Sequence, residues 1–314
     1  MLETKKASPV RQIIAANKKK KNSTDMILEK LMPKIFLVCA LVAIFTTFGI
    51  VFTLFSETIH FFDKVSIKEF FTSKQWHPTL SKPEYGILPL ISGTLLTSII
   101  ATVVAVPIGL TSAIYLSEYA TDKTRRTIKP ILEILAGVPT IVYGFFALTF
   151  VTPLLKTIIP TLGIYNALSP GLVIGIMIIP MITSLSEDAM SSVPNSLREG
   201  AYGLGSTKLE VSLKVVLPAA TSGVIASFVL GISRAIGETM IVSVAGGANP
   251  IFSFDPTQAV QTMTAFIAQV SQGDVGYGSI GYYSIYAVGT TLFIFTLVMN
   301  IIAHFISKRF KEEV

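Results

Sequence analysis

Residues Arg198–Glu238 read REGAYGLGSTKLEVSLKVVLPAATSGVIASFVLGISRAIGE, and the two halves of this stretch ask for different solvents. The first half is polar and charged, as water requires. The second runs apolar from Val215 to Ser233, then sets Arg234 and Glu238 at the far end of what the composition makes a membrane helix. A segment that joins a polar platform to an ion pair at membrane depth predicts a moving part.

The rest of the chain decides the solvent. Of 314 residues, 51% are hydrophobic and 14% charged, and the mean hydropathy is +0.65, too little charge to cover a water-soluble surface. Six runs carry no charge: Ile35–Ser56, Tyr85–Ser117, Ile134–Leu155, Thr157–Ser186, Val215–Ser233 and Val275–Ser307. Each supplies roughly the 20 residues that a helix needs to cross the hydrocarbon core. The expectation is an all-α membrane protein with six transmembrane helices.

Lysine and arginine set the orientation. With the N-terminus inside, the cytoplasmic segments hold 19 of them and the outer loops 5, which puts both termini in the cytoplasm. The expected divisions are a basic cytoplasmic tail at 1–34, a first span and outer loop at 35–86, a core at 87–306 with a cytoplasmic loop at 187–218, and a cytoplasmic tail at 307–314. The net charge of +6, Lys18–Lys21 included, then reads as a topological signal and an attraction to membrane lipid, not as a nucleic-acid surface. The first run is longer than a signal-peptide core and lacks a small-residue cleavage site, so it reads as a retained span.

The single cysteine, Cys39, lies inside that span, and His60, His77 and His304 are scattered, so no metal site and no cofactor are expected. No nucleophile–base constellation appears, and no catalytic residue is assigned. Span one looks lipid-facing. In the outer loop, Phe62, Phe70, Phe71 and Trp76 read as an interfacial segment, with its four lysines either interfacial too or gathering substrate. Span two carries Gly93, Thr94, Thr97, Ser98 and Gly109 for close helix approach, and Pro107 should kink it. AGVPTIVYG (Ala136–Gly144) is either a broken helix lining a cavity or a packing kink. Span four begins near Ser169, is interrupted by Pro180, and ends at Glu187 and Asp188.

In the platform, Ser196-x-x-Glu199 and Thr207-x-x-Glu210 both have capping-box form, with Gly203 and Gly205 as punctuation between them. The first short helix presents Leu197, Ala201, Tyr202 and Leu204 as a low apolar face, either docked into another protein's groove or lying on the membrane.

Glu199-Gly200-Ala201, then Gly205, then Val215-x-Leu217-Pro218 after nine residues resembles the EAA loop of ATP-binding-cassette importer permeases. Gly200 stands where alanine is common, and Val215 where isoleucine is. The resemblance covers about Leu90 to Ala303. It implies the type I importer permease fold and a coupling helix that docks into an ATPase subunit. The coupling residues would be Arg198, Glu199, Gly200, Ala201, Gly205, Leu217 and Pro218. No GxxxxGK[ST] loop is present, so the chain is expected not to be an enzyme, and hydrolysis falls to a partner.

Arg234 and Glu238 are four apart, which on a continuous helix gives them one face. Counted from Pro218, Arg234 lies about 24 Å along the helix, past the midplane of a roughly 30 Å core. Charges at that depth mark a pathway or lock helices together. A guanidinium keeps its charge when desolvated, and its fork fits carboxylate, sulfate or phosphate oxygens. Glu238 would hold the guanidinium or accept from a protonated oxyanion, and Ser233 and Thr239 add hydroxyls. RAIGETMIV, AGVPTIVYG and PLISGTLLTS look like the phosphate-specific branch of the family. GETM and TMTAFIAQ are similar to its PstC-type subunit. That resemblance implies a substrate pathway through Arg234, Glu238 and Thr239 and a location in the cytoplasmic membrane of a bacterium or archaeon. The partners it implies are a second permease of PstA type, two copies of an ATPase of PstB type and an extracytoplasmic phosphate-binding protein of PstS type. The rivals are a permease for sulfate or molybdate and a transporter driven by an ion gradient.

Overall fold

The structure is a computed structural model that describes residues 23–78, 82–273 and 275–311. The Lys18–Lys21 run of the basic tail and the last three residues of the chain lie outside these. The chain divides into two units, Met1–Leu54 and Phe55–Val314. In the first, helix α1 (Ser23–Phe62, whose last turns belong to the second unit) is exposed at every residue from Leu31 to Ile50. Most of these residues are apolar, so hydrocarbon is the solvent that suits them. Thr46, Thr47 and Thr53 donate their hydroxyls to the carbonyls of Val42, Ala43 and Gly49 one turn back, which leaves no bare O–H facing lipid.

In the second unit, Phe61 at the end of α1 joins an aromatic cluster with the short helix α2 (Ile67–Thr72) and an antiparallel hairpin, β1 (Trp76–His77) and β2 (Glu84–Tyr85). Trp76 meets Phe266 edge to face at 4.9 Å and Phe61 meets Phe70 at 5.6 Å. Phe70 and Trp76 are therefore core residues and not the interfacial belt that their amphipathic neighbourhood suggests; Phe71 alone of the three stays outside, 48% exposed.

Two long helices form the centre of this unit. Helix α3 (Leu88–Ile114) continues into a π-helical turn, Tyr115–Tyr119. It packs along α6 (Leu168–Ser191), and both run on through their prolines, Pro107 and Pro180. Glycines make the seam. A Cβ on Gly109 would lie 2.7 Å from Ile182, one on Gly171 2.8 Å from Ile100, and one on Gly175 3.0 Å from the Ala101 carbonyl. Small residues let the two backbones approach this closely.

The expected third span is bent. Helix α4 (Asp122–Ala136) is amphipathic with no buried residue and starts at Thr121, whose hydroxyl accepts from the Thr124 amide at 3.3 Å. Gly137–Pro139 then turns the chain by 85° into α5 (Thr140–Phe146), which runs through a π turn (Ala147–Val151) to Lys156. Pro139 takes a non-helical backbone, ψ 134°, as the cap of α5, so the apolar run from Ile134 is not one rod. The fourth span starts at Leu168, capped by the Asn166 side chain, which accepts from the Ser169 amide at 2.7 Å.

After α6 come α7 (Asn195–Gly203), α8 (Lys208–Val211), a π turn (Ser212–Val216) and a short Leu217–Ala219 helix. A 74° bend then leads into α9 (Thr221–Ile236). Helices α10 (Met240–Ala245), α11 (Met263–Ser271) and α12 (Ile280–Lys311) complete the order. Among the described residues four helices are long and apolar enough to cross a membrane, and the number is six if each bent pair is one span.

Candidate functional site

Helix α9 is fixed on one side and open on the other. Val224, Ser227, Gly231 and Ala235 are buried, and Ser227 shares a 2.6 Å hydrogen bond with Ser186 of α6. A Cβ on Gly231 would meet Ile182 at 2.9 Å. Ala226, Leu230, Arg234 and Gly237 are exposed, one stripe at helical spacing. A cation at membrane depth facing bare lipid costs about 3 kcal/mol, so this face is one for protein or water.

The structure does not form the expected Arg234–Glu238 ion pair. Ile236 is the last helical residue, and Gly237 ends α9, so four residues no longer equal one turn. Glu238 lies beyond the helix and is 8% exposed. Its Oε1 accepts from the amides of Met240 at 3.1 Å and Ile241 at 3.4 Å, which neutralises the first turn of α10. Its carbonyl accepts from the Thr264 hydroxyl at 2.8 Å, tying the break to α11. A broken helix at this depth is tolerated when its freed groups are satisfied in this way. Arg234 has no hydrogen bond or ion pair among the described residues. The Tyr143 phenol of α5 donates to the Leu135 carbonyl at 2.9 Å. Thr239 Oγ1 turns back to the Gly237 carbonyl at 3.3 Å, and Ser233 donates to Asn300 of α12 at 2.9 Å.

Beside the break, a cavity of about 320 Å³ is lined by apolar residues, Met240, Val244 and Ala265 among them, with Ser243, Gln269 and Gln272 as its uncharged polar groups. Gln269 also lines an outer cavity of about 490 Å³ beside Trp76 and Phe266. The buried Gln261 donates to Gln269 Oε1 at 2.7 Å and so orients its amide. Neither glutamine was singled out in the sequence, where an amide within an apolar run carries no pattern of its own.

The loop at 187–218 has the opposite character. No residue of α7 is buried, and Leu197, Tyr202 and Leu204 are 48%, 42% and 89% exposed. Glu199 and Gly200 face outward, while Ala201 and Leu217 pack against the cluster around Met190, Val193 and Val211. Gly205 turns the chain at φ +83°, a conformation that a side chain disfavours, and Pro218 is exposed on the short helix before the bend. The first capping box is not made: Pro194 occupies the cap position, which places Ser196 inside the helix. The second is made. Thr207 Oγ1 accepts from the Glu210 amide at 3.4 Å, and Glu210 Oε2 accepts from the Thr207 amide at 3.1 Å. That amide, then the Lys214 ammonium and the Thr207 hydroxyl, hold the Glu210 carboxyl down at about 2.

Arg198 turns inward, 3.0 Å from Glu118, so among the proposed coupling residues it faces the protein. Glu187 and Asp188 do not end the fourth span; α6 runs on to Ser191. Glu187 is 1% exposed and paired with Arg125 and with Lys129 at 2.9 Å, while Lys129 reaches Asp188 at 2.7 Å. These partners lie more than fifty residues away, beyond the reach of any local pattern.

Comparison with known proteins matches this arrangement. Residues 105–312 fit the family of binding-protein-dependent transport system inner membrane components. The chain is 34% identical over 275 residues to the probable ABC transporter permease protein YqgH of Bacillus subtilis (strain 168), covering 87% of this chain and 89% of that one. It is 37% identical over 265 residues to the phosphate transport system permease protein PstC of Xylella fastidiosa (strain 9a5c), covering 78% and 80%. A chain of the bacterial alginate ABC transporter, solved with its alginate-bound periplasmic protein, superposes with a TM-score of 0.60 over 90% of this chain and 98% of that one, at 15% identity, a likeness of fold. With the type I permease fold and these relatives, the chain belongs to the binding-protein-dependent transport system inner membrane component family, on its PstC-like branch, as the permease subunit of an ABC importer.

Proposed function

We propose that this chain is one half of the membrane core of an ATP-driven importer of inorganic phosphate in a bacterial cytoplasmic membrane. The observation that carries the reading is Arg234: an exposed guanidinium without a carboxylate partner among the described residues, beside a helix break, on a face shared with Ala226, Leu230 and Gly237. An unpaired arginine fork suits a tetrahedral oxyanion. The PstC relatives support phosphate as that anion. Thr239 lies at the same break, and Glu238 keeps the break open by holding the start of α10.

The open face of α9 would meet a second permease of PstA type. The outward face of α7, with Glu199, Gly200 and Gly205 around it, would dock on one of two ATPase subunits of PstB type. A binding protein of PstS type would deliver phosphate from outside. Both termini and the loop at 187–218 lie on the ATPase side, and the permease core runs from 87 to 306 between the flanking segments.

Uptake of labelled phosphate at micromolar concentration tests the reading in Arg234→Lys and Arg234→Gln, with assembly of the importer checked for each. The expected result is loss of uptake in both, by roughly a hundredfold in the glutamine variant, since a site built for a charged fork is left unable to pair the anion. Normal uptake in Arg234→Gln would refute a role in the pathway. Sulfate or molybdate competing as well as phosphate would replace the substrate and keep the site.

A further inference from the structure

We propose that Glu118 and Arg198 form an internal latch that carries movement of α7 into the membrane helices, so that Arg198 serves transmission and not contact with the ATPase. The inference rests on the importer reading alone and does not need phosphate as the substrate.

Arg198 sits in the middle of α7, yet its side chain leaves that helix. Nη2 donates to Glu118 Oε1 at 3.0 Å and Nε to Oε2 at 3.4 Å, a forked pair. Nη2 also donates to the Met190 carbonyl at 2.8 Å, and Nη1 donates to that of Val193 at 2.5 Å. Those carbonyls lie at the C-terminal end of α6, where a helix leaves its last acceptors without partners. One guanidinium therefore satisfies the end of α6 and the end of α3 together. The two side chains are 14% and 4% exposed. Glu118 lies in the π turn at Tyr115–Tyr119, a local widening of the helix that occurs often where function needs a side chain re-aimed. Ser117 adds a hydrogen bond to Glu118 at 2.9 Å.

The end of α6 is held from its other side as well. Glu187, one turn before Ser191, is clamped by Arg125 and Lys129 of α4, and Ser191 bonds both Arg125 at 3.1 Å and Glu187 at 2.8 Å. Helix α7 thus shows its apolar side outward while its root is bolted to α3 and α6. A buried ion pair adds little to stability compared with apolar packing, and its best-attested use is to fix register. Here the register fixed is that of α7 on the membrane helices. Glu118 is a positioning residue that acts through Arg198.

The test uses the assembled importer in a Cys39→Ser background, with Ser243→Cys on α10 as a reporter of the outer half. Maleimide labelling of Ser243→Cys is followed with and without a non-hydrolysable ATP analogue, so no substrate is needed. In the parent, the analogue changes the labelling rate. In Glu118→Gln and in Arg198→Gln, that change shrinks by about fivefold or more, within the range of typical coupling factors, while the ATPase still co-purifies and still binds the analogue. The double variant Glu118→Gln/Arg198→Gln leaves no orphaned charge, replaces either single variant that fails to assemble, and should lose no more than either alone. Full nucleotide response in Glu118→Gln overturns the latch. So does loss of the ATPase from both Arg198→Gln and the double variant while Glu118→Gln keeps it, which marks a docking residue, or a parent whose labelling ignores nucleotide.

Discussion

The two ends of α6 and α9 treat charge in opposite ways. At the end that carries α7, Glu118, Glu187 and Asp188 meet Arg125, Lys129 and Arg198, and each charge has a partner within 3.0 Å. At the outer break, Arg234 stands exposed while Glu238, only four residues on, spends its carboxylate on backbone amides. The charges that hold these helices in place are paired. A charge that served a passing ligand, the role proposed for Arg234, would be left unpaired, because a partner would have to be displaced at every passage. The contrast separates fastening from handling by geometry alone.

Stability measurements should expose the same division. Glu187→Ala removes the centre of this cluster and takes the carboxylate from Arg125, which is 36% exposed, while Lys129 keeps Asp188, so the expected loss is about 2 kcal/mol, seen as a lower Tm of the purified protein. A Tm equal to that of the parent would break the comparison. Arg234→Gln, by contrast, should move stability by no more than about 0.5 kcal/mol, since no partner is orphaned. A drop as large as that of Glu187→Ala would return Arg234 to the fastening class.

The smallest expected effect is at Glu210. Its carboxyl is held at about 2, below the ordinary 4.5, so its contribution to the α8 cap is full above about 4.5 and fades as pH falls toward 2. Amide protection at Thr207 and Glu210, corrected for intrinsic exchange, should stay level from pH 7 to about 4.5 and then decline. Glu210→Gln should flatten that profile, and a decline that survives the substitution would place its cause elsewhere.

Much of this was readable from residues in a row. Long uncharged runs announce membrane helices because lipid admits little else, and Gly205 and the Thr207–Glu210 box act within a single turn. The misses share one cause, which is that they depend on where a helix stops or what lies across from it. Pro194 takes the cap that Ser196 was expected to supply. The break at Gly137–Pro139 is legible in AGVPTIVYG, but Ala220 bends a span that periodicity draws straight, so the platform and Arg234 do not lie on one rod. Gly237 ends α9 two residues too early for Arg234 to meet Glu238. Trp76 reads as an interfacial anchor until Phe266, from the far end of the chain, covers it. Glu187 reads as the end of a span because its partners on α4 are set by tertiary packing.

The glycine seam has a mechanical consequence. Where Gly109, Gly171 and Gly175 meet the opposite helix, there is no room even for a methyl group without displacement. Two rods in such contact cannot shear past one another, because every bump is already seated against backbone or a branched side chain. The pair α3 and α6 therefore behaves as a single stiff spar. A push applied at one end of it would emerge at the other as tilt, with the bends at Gly137–Pro139 and Ala220 as the places for the rest of the chain to give way.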